Sequence, residues 1–273
     1  MNNILFAFSL TLLAGLSTGI GSGIAFFAKK TNTRFLSVSL GFSAGVMIYV
    51  SMIEIFPEAR NTLARELGLK AGSWATVIAF FGGVLLMALI DKWVPSEENP
   101  HSMYKIEEID DPDKIEDLQS QANSSLLRTG KFTALAVGIH NFPEGLATFI
   151  AALQDPSIAI PIAVAIAIHN IPEGIAVSVP VYYATGDKKK AFIYSFMSGL
   201  SEPIGALVGY LILMPFINDF IFGIVFAGIA GIMVYISLDE LLPTAQEYGE
   251  HHLSIYGLIG GMGVMALSLL LFL

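Results

Sequence analysis

The sequence predicts an all-α membrane protein of eight transmembrane helices, and three observations predict it. Hydrophobic residues fill 54% of the 273 positions and charged residues only 14%, where a soluble domain carries about 25% charged residues. The apolar residues fall into runs near the ~20 residues that a helix needs to cross a bilayer. These runs cover about 3–28, 35–57, 73–94, 129–152, 157–183, 190–215, 219–242 and 254–273. Third, the runs echo one another in a fixed order. Mean hydropathy, at +0.68, agrees.

Taken in order, the first run has no Lys or Arg before Lys29 and no clear small-residue cleavage site. It therefore reads as a span and not as a signal peptide. Its segment GLSTGIG, from Gly15, matches GLSEPIG, from Gly199 in the sixth run, at five of seven positions. In the second run, Ala44–Ala59 reads AGVMIYVSMIEIFPEA; in the seventh, Ala230–Ala245 reads AGIMVYISLDELLPTA, identical at 8 of 16 positions. GGVLLMAL from Gly82 in the third run matches GGMGVMAL from Gly260 in the eighth at five of eight. Spans 1–3 thus echo spans 6–8. Each partner lies five spans away, an odd number, so partners cross the membrane in opposite directions. Spans 4 and 5 echo each other and are also antiparallel. The expected architecture is a 3+2+3 inverted repeat, which in secondary transporters places the site at the midplane. Small residues recur in any packed membrane helix. That habit does not supply Tyr49 with Tyr235, Glu54 with Glu240 and Pro57 with Pro243 at one offset.

Residues 1–273 read as a single transmembrane domain. The stretch 95–127 within it is acidic and poor in aromatics, the composition of a mobile loop. It holds most of the surplus behind the net charge of −9, and one histidine, His101. With the N-terminus outside, the cytoplasmic loops hold Lys29, Lys30, Arg34, Lys92, Lys105, Lys114, Arg128, Lys131, Lys188, Lys189 and Lys190, which is 11 of the 14 basic residues. Lys and Arg favour the cytoplasmic side, so both termini are expected outside. An acidic chain of this kind is not expected to bind nucleic acid.

The chemistry lies in a doubled motif. His140-Asn141-Phe142-Pro143-Glu144-Gly145 returns 29 positions later as His169-Asn170-Ile171-Pro172-Glu173-Gly174. Residues four apart share a helix face, so His140 with Glu144, and His169 with Glu173, are expected to converge. Asn141 and Asn170 lie on the adjoining stripe. Pro143 and Pro172 lack an N–H, which frees the carbonyls of Ile139 and Ile168 and bends a helix. Span 6 adds Glu202, followed by Pro203. Ionisable groups inside a span are costly and mark a pathway or an ion site.

Three carboxylates, two imidazoles and two carboxamides meet no Lys or Arg in the middle of spans 4, 5 and 6, where the basic residues, Lys131 and Lys190, stand at span ends. Like charges in low dielectric hold protons unless a cation joins them, and a divalent metal is the natural compensator. The chain has no cysteine, so the ligands are nitrogen and oxygen. Such a mixed set selects weakly among transition metals. Two readings compete with metal transport. One is a proton pathway through the same groups. The other is a metal-dependent intramembrane hydrolase, against which stands the lack of HExxH, GxSxG or a nucleophile beside the motif; no catalytic residue is assigned.

The paired HNxPEG helices, the SEP triplet at Ser201–Pro203, and the eight spans with an acidic third loop resemble the ZIP (Zrt-, Irt-like) family of divalent metal transporters, in particular its bacterial branch with HNxPEG on both helices. The resemblance implies a binuclear site between spans 4, 5 and 6. His140, Glu144, His169 and Glu173 would form one position; Asn141, Glu144, Asn170, Glu173 and Glu202 would form the other. It implies uptake of zinc, and also iron, manganese, cobalt or cadmium, across the bacterial inner membrane. It implies a homodimer, no enzymatic activity, and no cofactor beyond the ion carried. The third loop here is acidic where many relatives are histidine-rich.

Further residues are expected along the path. In the N-outside topology Glu54 and Glu58 gather cations at the mouth, and Asp239 and Glu240 receive them inside. His251 and His252 take them onward, and the equivalent Met47 and Met233 lie beside the pathway.

Overall fold

The computed structural model describes residues 2–25, 33–93, 112–154, 156–213, 218–247 and 251–271. Every regular element among them is helical. They are α1 (Asn2–Ala25), α2 (Thr33–Val50), α3 (Phe56–Leu67), α4 (Leu69–Trp93), α5 (Pro112–Gln154), α6 (Pro156–Thr185), α7 (Lys188–Gly199), α8 (Ser201–Val208), α9 (Asp219–Ile236), α10 (Leu242–Glu247) and α11 (His251–Leu270). A π-helical turn, Ser51–Ile55, joins α2 to α3; another, Ser237–Leu241, joins α9 to α10; a third, Gly209–Leu213, follows α8.

Six of the resulting rods are long and apolar enough to cross a membrane: Asn3–Gly23, Thr33–Leu67, Leu69–Lys92, Lys188–Ile212, Asp219–Glu247 and His252–Leu270. The protein is an all-helical membrane protein. The two motif helices, α5 and α6, are not among the six, although at 43 and 30 residues they exceed the length of a span.

One boundary differs from the sequence expectation. α5 begins at Pro112, so residues 112–127, expected as loop, are its first turns. Proline at a first helical position loses no hydrogen bond. The rest of the acidic stretch, including His101, lies outside the described residues.

Packing divides the rods by neighbour. α1, α5, α6, α7 and α8 pack on one another, α2 packs on α11, and α4 packs on both α3 and α9. α6 also touches α2, and α5 touches α9. The main apolar core runs from Leu40 and Met47 through Ala176 and Val179 to Met233 and Ile236.

Glycine lets the helices approach to backbone contact, and these approaches come in matched pairs. A Cβ on Gly45 would strike the Leu258 carbonyl, and one on Gly231 would strike that of Phe80. A Cβ on Gly21 would strike the carbonyl of Ile171, and one on Gly205 that of Phe142. Gly174 meets Thr18 and Gly145 meets Glu202 in the same way, while Gly15 and Gly199 face each other.

Gly145→Ala should therefore be damaging. The added methyl would meet the Glu202 backbone, which cannot move aside as a side chain can, and overpacking of this kind costs about 1–3 kcal/mol. Gly82→Ala, with nothing within 4 Å, is the matched control and should be neutral or slightly stabilising. Thermal unfolding in detergent is the measurement; equal melting of the two variants would contradict the contact.

Candidate metal centre

The repeated motif places its polar groups where α5, α6 and α8 meet. His140, Asn141, Asn170, Glu173 and Glu202 are each fully buried. One partnership runs between the two motifs: His140 Nε2 lies 2.9 Å from Glu173 Oε1, joining α5 to α6. The helix repeat puts His140 and Glu144 on one face, but which helix lies opposite that face is a matter of packing. Asn170 Nδ2 donates to Glu202 Oε2 at 2.7 Å, joining α6 to α8, and to the Ala14 carbonyl at 3.0 Å. Asn141 Nδ2 donates to the Ser198 carbonyl at 3.5 Å. Glu144 is partly buried, and both it and Glu173 are near enough to Glu202 for their charges to repel. α6 is held from a third side by Ser43 Oγ, which donates to the Pro172 carbonyl at 2.7 Å. His169 stands in α6, but its side chain lies outside the described residues.

Four oxygens at this centre are buried with no hydrogen-bond partner: Asn141 Oδ1, Asn170 Oδ1, Glu173 Oε2 and Glu202 Oε1. Buried polar atoms are nearly always satisfied, so a cluster of exceptions asks for an explanation. All four are acceptors. A divalent cation needs such oxygen donors, and it relieves the repulsion among the carboxylates as well. The donor set fits a metal ion.

Residues expected along the pathway fare differently. Glu54, Glu58 and Asp239 are exposed, and His252 is exposed beside Tyr256. The side chain of His251 lies outside the described residues. Met47 and Met233 are buried in the main apolar core.

Glu240 is only 7% exposed and belongs to a group that sequence reasoning did not assemble. Oxygens of Asp91, Asp239 and Glu240 lie within 4.8 Å of one another. Among the described residues this is the one group of three acidic or imidazole ligands so gathered. Arg128 pairs with Asp91 and, at 3.8 Å, with Glu240, and Thr129 Oγ1 donates to Glu240 Oε2 at 3.3 Å. Asp91 lies in the last turn of α4, Arg128 lies in α5 and Glu240 lies in a π-turn. In the sequence they are separate charges near span ends. A charge of each sign at three such ends was the available signal.

The family model described as ZIP Zinc transporter matches residues 95–269. The "Zinc transporter ZupT" of Clostridium perfringens is 65% identical over 280 residues, covering 100% of this chain and 98% of its own. That of Streptococcus mutans is 66% identical over 266 residues, covering 97% of each. That of Nitratidesulfovibrio vulgaris is 64% identical over 272 residues, covering 99% of this chain and 98% of its own.

Proposed function

The chain belongs to the ZIP zinc transporter family, and from that premise we propose that it takes up zinc into the cytoplasm through the buried centre of α5, α6 and α8. It is a transporter and not an enzyme. Zinc is its cargo. The observation that carries the reading is the set of four unpartnered buried oxygens beside the His140–Glu173 pair.

The ion moves through eight spans built as an inverted repeat, with α5 and α6 as the central pair. Three observations support that architecture. The π-turns at Ser51–Ile55 and Ser237–Leu241 fall at matching positions of the echo. Gly45 against Leu258 is the echo of Gly231 against Phe80. Asn141 donating to Ser198 is the echo of Asn170 donating to Ala14, one carbonyl on each side of the central pair.

In the binuclear arrangement, His140, Glu144, His169 and Glu173 hold one ion, and Asn141, Glu144, Asn170, Glu173 and Glu202 hold the other. The contacts supporting two positions are the separate pairs His140–Glu173 and Asn170–Glu202. Both termini lie outside by the Lys and Arg count. Glu54 and Glu58 face the medium, while Asp239 and Glu240, beside Asp91, receive the ion within. The assembly that goes with the family is a homodimer.

Uptake into proteoliposomes tests the function. Zinc, iron(II), manganese and cadmium are compared for wild type and a His140→Ala, His169→Ala double variant. Zinc uptake by wild type and its loss in the double variant are expected. Proton flow without metal entry would make the same groups a proton pathway.

Glu202→Ala should be milder, slowing uptake by about tenfold or less and altering the preference among ions, because Glu202 belongs to one ion position only. Uptake rates for zinc and cadmium check it. Complete loss would show that Glu202 serves both positions.

A further inference from the structure

An open groove of about 760 Å³ runs between α5 and α7–α8, and its inner end, at Phe142, Pro143 and Ser198, adjoins the buried centre. That volume is in the range of small-molecule sites, roughly 300–1,000 Å³. One wall is the stripe Lys131, Leu135, Gly138 and Phe142 of α5. The other is Tyr194, Met197 and Ser201 of α7 and α8. Extended back by one turn, this second stripe begins at Lys190. The two walls thus share one spacing, with steps of four, three and four residues, and each starts with a lysine. Both lysines are exposed.

Depth agrees with this pattern. Nine residues separate Lys131 from His140, roughly 14 Å along a helix, about half of a ~30 Å hydrocarbon core. With the motif at the midplane, Lys131 stands at headgroup level, and Lys190, eight residues before Ser198, stands close to it. Below them the groove is apolar and open, with Leu135 48% and Met197 56% exposed. Beside them Asp187 caps α7, accepting from the Lys190 backbone N–H at 3.0 Å, and Lys188 leans over the Tyr182 ring.

We infer that this groove is a binding site for an anionic phospholipid, with its phosphate held by Lys131 and Lys190 and an acyl chain laid between α5 and α7. Basic pockets between spans on the cytoplasmic side have this chemistry. A zwitterionic lipid offers the same chain without net charge, so the lysines select the headgroup and the apolar floor holds the tail. Because α5 and α7–α8 also carry the metal ligands, the lipid would brace the two helices behind the centre. The inference rests on the membrane-spanning reading and on the shared level of the two lysines, and not on zinc transport.

The test uses the full chain in nanodiscs of equimolar phosphatidylglycerol and phosphatidylcholine, with retained lipid identified by native mass spectrometry. Wild type should retain phosphatidylglycerol preferentially. Each lysine near the surface is worth about a fivefold preference, so Lys131→Gln with Lys190→Gln should reduce it more than tenfold. Met197→Trp, which fills the groove, should remove retained lipid of both kinds. Equal retention of the two lipids by wild type would overturn the inference. So would a preference that survives the double variant. Unchanged retention in Met197→Trp, with a change of oligomeric state, would overturn it in favour of a second copy of the chain. Zinc uptake by the same variants in proteoliposomes reports separately on transport.

Discussion

Glu173→Gln is expected to reduce zinc uptake at least 100-fold while the protein remains folded. The amide keeps the size of the side chain and can still hydrogen-bond to His140, so the α5–α6 contact survives. What disappears is a negative charge and the basicity of an oxygen that has no protein partner. In the binuclear reading Glu173 is shared by two ions, so both positions fail together. Glu144→Gln should behave similarly. Glu173→Ala is the harsher change, because it also leaves His140 buried without its carboxylate; losing one partner of a buried pair costs about 3–5 kcal/mol. The comparison therefore separates roles. If Glu173→Gln transported at the wild-type rate and Glu173→Ala simply unfolded, the glutamate would be a structural partner of His140 and not a ligand. Zinc uptake in proteoliposomes, paired with thermal unfolding of the same samples, provides both readings.

An imposed inside-negative potential of about 100 mV should drive zinc accumulation of up to about 2,000-fold. A charge crossing that potential gains about 2.3 kcal/mol, and a doubly charged ion about 4.6 kcal/mol; each 1.4 kcal/mol is tenfold. No phosphate-binding loop of the GxxxxGK[ST] kind occurs in the chain, so the ion's own gradient and the potential are the sources considered. The buried centre makes the effect specific. In the proposed reading its ligands bring no Lys or Arg to the middle of the membrane, so zinc brings the compensating charge, and the potential acts on what zinc adds. The measurement is zinc taken up with and without valinomycin and a potassium gradient. Uptake that ignored the potential would mean that zinc crosses with its charge balanced, for example by protons leaving the same imidazoles and carboxylates.

Much was legible in the sequence because the membrane makes the rules simple. Hydrocarbon leaves the backbone few options, so apolar runs become helices. Charge inside such a run is costly enough that the motif residues stood out before any geometry was known. The echo between Ala44–Ala59 and Ala230–Ala245 covers both π-turns, Ser51–Ile55 and Ser237–Leu241, but nothing in it revealed a turn. The start of α5 was misjudged because a polar, acidic composition describes an exposed helix as well as a loop. Met47 and Met233 were picked for their equivalence, yet equivalence is what a repeated core produces too.

The sequence by itself determined the class of the molecule, and it marked out the echoing segments and the HNxPEG residues as candidates, since those depend on residue type and on spacing along one helix. Only the tertiary structure decided the partners. It placed His140 against Glu173, Asn170 against Glu202, and Arg128 between Asp91 and Glu240. Those pairings join residues 33, 32, 37 and 112 positions apart, and separation along the chain carries no information about which helix faces which. That is set by close glycine contacts such as Gly145 on Glu202 and Gly174 on Thr18, where the absence of a side chain lets two backbones touch and so fixes the rotation of each motif helix.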